Sequence, residues 1–254
     1  MEIVEHKDGG RYSKVSGSSF RVLYAYNSGK IENSEITYHD IREIFENGRV
    51  LSYTDSVRTL FEMQNQKICY EALKPGITDK EPLSLELVKE VHRILTNGTY
   101  DERMYIVNGE RPGEFKKHEY KTGIFEVGSV AEKVEFDLSE LIAEVNEFGV
   151  VDPMKAAAYF HARFERIHPF ADGNGRVGRT LMNYLLLIND YPPLIVYVED
   201  KTTYYKALQE YDESESLCGL VEFLKDQTVK TWDKAMKLTK FMPKTRKRLN
   251  EYLQ

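Results

Sequence analysis

The sequence predicts a mostly α-helical protein. Apolar residues recur at spacings of three and four over long stretches, and recognisable start and stop residues bracket several of them. Short β-like runs are confined to one region, 102–136. With 254 residues the chain has room for one large domain or two small ones.

The elements follow in order. Ile36 to Phe45 and Ser56 to Leu73 carry the helical repeat. Leu83 to Leu95 continues it, with Pro82 ahead and Ser84 placed to cap. Between Glu102 and Phe136 the texture changes. Gly109, Pro112, Gly113, Gly123 and Gly128 punctuate runs such as Tyr105-Ile106-Val107 and Ile124-Phe125-Glu126-Val127, which predicts loops and a small β-hairpin. The helical repeat resumes at Leu138. Asp152-Pro153 marks a helix start, with Asp as N-cap and Pro at the first position. That helix sets Ala157, Phe160, Phe164 and Ile167 on one stripe, and Pro169 ends it near His168. Val177, Leu181, Leu185 and Ile188 mark the next helix, stopped by Tyr191-Pro192-Pro193. Further helices are expected from Thr203 to Glu210 and from Gly219 onward.

Apolar content of 41% supports a core, and charged content of 30% marks a solvated surface. A net charge of −6 argues against a general nucleic-acid binder, which needs local positive charge on phosphates. The stretch from Lys234 to Arg248 departs from that balance with Lys237, Lys240, Lys244, Arg246, Lys247 and Arg248. Its ordinary reading is a solvated helix face, and its sharper one a patch for an anionic partner. Two cysteines, Cys69 and Cys218, make no disulfide framework and suit a reducing compartment. No signal-peptide pattern and no membrane-length apolar run appears, so a cytoplasmic protein without a membrane partner is expected.

The most informative segment is His168-Pro169-Phe170-Ala171-Asp172-Gly173-Asn174-Gly175-Arg176-Val177-Gly178-Arg179, at a helix–loop–helix junction. The first amides of a helix lack intrahelical partners and carry the positive end of its dipole. Gly173 and Gly175 let the backbone turn and approach an anion, which makes a nest ahead of the second helix. Arg176 and Arg179 share a face of that helix's first turn and suit bidentate grip on phosphate. Asp172 offers a hard oxygen of the kind Mg²⁺ takes when it also binds phosphates. His168 can accept a hydroxyl proton near neutral pH. Each residue alone has an ordinary structural use; the ordered set points to a nucleotide triphosphate. His161 and His168 stand seven apart with no further ligand to make a zinc site, and no Walker phosphate loop occurs.

This segment resembles the signature of Fic-domain proteins, His-Pro-Phe-x-Asp/Glu-Gly-Asn-Gly-Arg-x-x-Arg, with every fixed position met. The resemblance implies a Fic fold, a helical bundle with a small β-hairpin flap beside the active-site junction. It implies transfer of AMP from ATP to a Ser, Thr or Tyr hydroxyl of a protein, self included, with Mg²⁺ as cofactor. By position, His168 would be the general base and Asp172 the metal ligand. Gly173, Asn174 and Gly175 would cradle phosphate oxygens, Arg176 and Arg179 would grip the β- and γ-phosphates, and Phe170 would anchor the loop in the core. The flap would lie around Thr122 to Val130, with Val127, Gly128, Ser129 and Val130 bordering the nucleotide. Tyr204-Tyr205 resembles the family's tyrosine pair around the adenosine. Seven residues beyond, Asp212 stands where the family often has Asn.

Upstream, Ser28-Gly29-Lys30-Ile31-Glu32-Asn33 resembles the family's inhibitory pattern Ser/Thr-x-x-x-Glu-Gly/Asn. Glu32 would form a partly buried bidentate pair with Arg179 and hold it away from ATP, with Ser28 capping or steadying a short helix. The expected division is 1–80 as an N-terminal helical region, 81–230 as Fic core and 231–254 as a basic C-terminal helix. By family analogy, a homodimer burying the inhibitory segment is one expected arrangement. Two alternatives stay open: the same fold removing AMP or moving another phosphate-containing group, and a non-enzymatic scaffold or nucleic-acid regulator acting through the basic tail.

Overall fold

The computed structural model describes residues 17–50, 56–120 and 128–241, with backbone alone at 17–19 and 234–241. Among these residues the chain forms α1 (Gly17–Glu32), α2 (Tyr38–Asn47), α3 (Val57–Asp79), α4 (Leu85–Leu95), α5 (Val134–Phe148), α6 (Pro153–Ile167), α7 (Asn174–Ile188), α8 (Lys201–Ser214) and α9 (Cys218–Phe241). No described helix is long and apolar enough to cross a membrane.

Capping explains most of the boundaries. Thr37, Ser56, Ser84 and Asp152 each accept a hydrogen bond from a backbone N–H three residues on, starting α2, α3, α4 and α6. Pro153 sits at the first position of α6, where its missing N–H costs nothing. α6 ends at His168, which takes the left-handed conformation (φ 51°, ψ 63°) and donates its N–H to the Phe164 carbonyl at 3.0 Å.

Helix α6 lies at the centre, packed on α5, α7, α8 and α9. Phe160, Phe164 and Ile167 join a core with Val88, Leu138, Phe170 and Leu181. Ala157, Ala158 and Ala162 face a second core with Tyr204, Leu208, Leu220 and Leu224. The expected single stripe is therefore split between two faces, because α6 is covered on both sides. A third, smaller core joins α1, α2 and α3 through Val22, Ala25, Ile36, Ile41, Ile44 and Met63. α1 also packs on α7, which brings the N-terminal region onto the junction after α6.

Several expectations are corrected. The short helix expected at Ser28 to Glu32 is the end of a longer one, α1, which begins at Gly17. α5 begins at Val134, not Leu138, and α3 runs through Pro75 to Asp79. The expected hairpin falls largely on residues 121–127, outside the described residues. No strand occurs among the described residues, Gly128 to Val130 included. Tyr105-Ile106-Val107 belongs to a π-helical turn, Arg103–Val107, instead of an extended run. Asp101 accepts the Met104 N–H at 2.8 Å and Arg111 donates to the Tyr105 carbonyl at 2.6 Å, which closes the chain into a turn. The fold is thus mostly helical, as expected. The basic tail beyond Phe241 lies outside the described residues.

Phe170, the expected loop anchor, is fully buried and stacks on the His92 ring, centroids 3.7 Å apart and planes 3° apart. Phe170→Ala should cost about 3–5 kcal/mol of unfolding free energy, the range for an aromatic deleted from a close-packed core. Urea unfolding measures it; a loss under about 1 kcal/mol would mean the junction does not hang on this ring.

Candidate active site

The junction between α6 and α7 is braced from three sides. Asn174 Oδ1 accepts the Phe170 N–H at 2.9 Å and its Nδ2 donates to the Phe170 carbonyl at 2.8 Å. The Asn174 side chain therefore closes the loop; it is not turned to a ligand, and only its backbone N–H remains for phosphate. His92 of α4 accepts the Gly113 N–H on Nδ1 at 2.8 Å. Its proton must then sit on Nε2, which donates to the Asp172 carbonyl at 3.0 Å. Lys116 donates its backbone N–H to the Pro169 carbonyl at 2.9 Å, and Ser129 donates its N–H to the Ile167 carbonyl at 3.0 Å.

Gly173 ends the loop in the left-handed region (φ 84°), packed where a Cβ would meet Thr96 at 2.7 Å. Helix α7 follows with no side-chain cap, so its first amides stay available. At Gly175 a Cβ would stand 2.4 Å from Glu32 Oε1 and 2.9 Å from Arg179 Nη1. A carboxylate oxygen thus already rests against the bare backbone at the helix mouth.

That oxygen accepts a hydrogen bond from Arg179 Nη2 at 2.8 Å. Arg179 also donates to the Ser28 carbonyl at 3.0 Å, to Ser28 Oγ at 3.2 Å and to the Tyr204 hydroxyl at 3.5 Å. Two expectations change here. The Glu32 pair is single, not bidentate, because the guanidinium shares its donors among three residues. Ser28 lies inside α1 and binds Arg179; it caps nothing. Arg179 is 1% exposed. Burial alone would disfavour its charge, but Glu32, Tyr204 and Glu165 together raise its pKa.

The other expected residues divide. His168 is half-buried. In a neutral imidazole one ring nitrogen carries the proton and the other accepts. Burial first, then the Lys116 ammonium, push His168 down to about 4 against the pull of Asp172 and Glu32. Gly128 lies beside it, where a Cβ would meet His168 Cβ at 2.9 Å. Ser129 donates its hydroxyl to Asp137 at 2.6 Å, Val130 is exposed, and Val127 lies outside the described residues. Asp172 is bonded by Arg58 of α3 at 2.7 Å. Of the tyrosine pair, Tyr204 is sunk in the core with its hydroxyl 2.6 Å from His161 Nε2, and Tyr205 is exposed. Asp212 is half-buried on α8 and helps to raise Glu165. Asn33 donates to Thr59 and Glu62 of α3 at 2.9 and 2.8 Å.

Sequence reasoning missed Arg58, Glu62, His92 and Lys116. Arg58 and Glu62 carried only the signal of an i, i+4 ion pair, which reads as solvated surface. Lys116, 2% exposed, stands where its Nζ would be 3.2 Å from a Cβ on Gly128.

Residues 82–186 match the model of the Fic/DOC family, so the chain carries a Fic domain. It is similar to the protein adenylyltransferase fic-1 of Caenorhabditis elegans, 29% identical over 191 residues, 73% of this chain and 35% of that protein. It is also similar to the protein adenylyltransferase Fic of Drosophila melanogaster, 26% identical over 239 residues, 94% of this chain and 46% of that protein. The chain spans less than half the length of these relatives. Among solved structures, a Fic domain containing signaling protein from Bacteroides thetaiotaomicron superposes with a TM-score of 0.76 at 26% identity over 88% of both chains. Fic-1 from Caenorhabditis elegans superposes with a TM-score of 0.76 at 22% identity over 93% of this chain and 69% of that one.

Protonation gives a test of this packing. Burial pushes His92 and His161 down to about 3 and His168 to about 4. The unfolded chain protonates these rings near pH 6.5 and the folded one does not, so each costs stability as pH falls below about 6.5. Glu165 has the opposite sign. Burial pushes it up to about 7, so its contribution is present at low pH and lost as pH rises through 7. Three imidazoles outweigh one carboxyl, and the melting temperature should fall between pH 7 and pH 5. A flat or rising profile in calorimetry would contradict the buried, neutral imidazoles.

Proposed function

We propose that this chain is a protein adenylyltransferase that moves AMP from ATP to a Ser, Thr or Tyr hydroxyl, held at rest by Glu32. One observation carries the reading. The Glu32 carboxylate occupies the mouth of α7, bonded to Arg179 at 2.8 Å and lying on the Gly175 backbone. A carboxylate there stands in for a terminal phosphate, since both are anions that a guanidinium and free helix amides bind. The relatives named protein adenylyltransferases support the same chemistry.

On this reading the target hydroxyl loses its proton to the free ring nitrogen of His168 as its oxygen attacks the α-phosphorus. The new O–P bond forms as the bond to the β-phosphate oxygen breaks, and pyrophosphate leaves. His168 suits the task because its surroundings keep it neutral at physiological pH. Arg176 and Arg179 would hold the leaving phosphates, as cations do for charge that grows in phosphoryl transfer.

The residues present fit Mg²⁺. Among the described residues no trio of His, Cys, Asp or Glu forms a metal cluster. A nucleotide-bound Mg²⁺ needs only one or two carboxylates beside the phosphates and water, and Asp172 is partly exposed at the junction. When bound there, Mg²⁺ would offset charge on the phosphates. Unbridged Cys69 and Cys218 suit the cytoplasmic setting we favour.

Incubation with ATP and Mg²⁺ followed by intact mass tests the reading. Glu32→Gly should raise adenylate incorporation into the protein itself or an added target by at least about tenfold, since it removes the anion that competes with phosphate for Arg179. His168→Ala in that background should cut incorporation by roughly 10²–10⁴, the usual contribution of a general base. Labelling unchanged by either substitution would refute the brake or the base, respectively.

A further inference from the structure

Beyond Glu32 and Arg179, four charged side chains close a ring of alternating sign. Arg58 Nη2 donates to Asp172 Oδ2 at 2.7 Å, and Arg58 Nε donates to Glu62 Oε1 at 3.0 Å. Arg176 completes the ring, with Nη2 3.5 Å from Asp172 Oδ2 and Nη1 3.4 Å from Glu62 Oε1. Asp172 and Arg176 belong to the junction; Arg58 and Glu62 stand one turn apart on α3. The proposed function asks Asp172 for a metal cation and Arg176 for a phosphate. The ring already sets a guanidinium on the first and a carboxylate on the second.

We propose that Arg58 and Glu62 imitate the metal–phosphate pair and act as a second brake on the nucleotide site, in addition to Glu32. This inference rests on the function proposed above. Three features support it. Arg176 is 3% exposed, yet its Nε and Nη1 are buried without a hydrogen-bond partner among the described residues. Glu62 therefore answers its charge without satisfying its donors, which leaves the better fit to a phosphate. The Arg58 side chain is 45% exposed, so it can leave Asp172 by a rotamer change at the surface. Once displaced, Arg58 and Glu62 keep each other as an i, i+4 pair, so neither is stranded as a lone charge.

The ring is also joined to the inhibitory segment. Asn33 donates to Glu62 Oε2 at 2.8 Å, directly after Glu32 in the chain. The residue that ends the inhibitory pattern thus grips the second brake.

A ring that merely holds Arg176 in its working position makes the opposite prediction, because disrupting it would weaken nucleotide binding. The test is calorimetric binding of ATP to full chains carrying Glu32→Gly alone, or with Arg58→Gln or Glu62→Gln added, each over a series of Mg²⁺ concentrations and in EDTA. Arg58→Gln should lower the Mg²⁺ concentration that half-saturates ATP binding by about fivefold, the scale of one partly exposed ion pair. Glu62→Gln should tighten ATP in EDTA by a similar factor. Unchanged or weaker binding in the Arg58 variant overturns the brake. Because Glu62 is buried, each variant's melting curve is recorded, and Arg58→Gln alone decides if Glu62→Gln fails to fold. Absence of ATP binding in the Glu32→Gly chain would refute the proposed function itself and this inference with it. Binding there that the ring variants fail to improve would remove only the second brake.

Discussion

A guanidinium that cannot give up its proton is buried at Arg179, and the rest of the site is arranged around that fact. An unpaired charge in such a place costs several kcal/mol, so some anion must stand beside it in every state of the protein. In the fold described, Glu32 is that anion. Helix α1 is pinned to suit: Tyr24 meets Thr180 at 2.9 Å, Asn27 accepts the Val198 N–H at 3.0 Å, and Lys201 donates to the Ile31 carbonyl. Yet Glu32 ends α1, where the helix dipole disfavours a carboxylate. Its side chain is 36% exposed and its bond to Arg179 is single. On the proposed function, a contact so placed would hold at rest and yield to a multiply charged phosphate.

The grouping of the junction residues was legible because they are contiguous. His168, Asp172, Gly173, Gly175, Arg176 and Arg179 reach one place through a single loop and one helical turn. Helices α4, α6 and α7 were legible because Ser84, Asp152-Pro153 and Gly173 punctuate them. Helix α1 was not. Its sequence mixes glycines, serines and aromatics with no clear amphipathic stripe, and it is held by packing on α2, α3 and α7 instead of by its own preference for helix. Glu32 could be named without that helix, but how Ser28 would meet Arg179 could not. The ring residues were illegible for another reason. Arg58 and Asp172 lie 114 positions apart, and only the fold brings α3 across the junction. His92 is similar, since its task is to bond one carbonyl 80 residues away. Asn174 shows the converse limit. Its place in the motif suggested phosphate, while its side chain in fact ties the loop to Phe170.

The two sets of contacts have a joint electrostatic consequence. Three guanidiniums (Arg58, Arg176, Arg179) face three carboxylates (Glu32, Glu62, Asp172) across the mouth of α7. These six charges cancel, so together they exert little long-range pull on an anion. On the proposed function, a phosphate would take the place of Glu32 beside Arg179, so the buried charge stays answered throughout. Asn33 follows Glu32 and donates to Glu62, so the two sets of contacts share one segment of the chain. On the proposed function, a contact path from Glu32 through Asn33 to Glu62 would join the two halves of the site, so that a phosphate replacing one carboxylate would bear on the other.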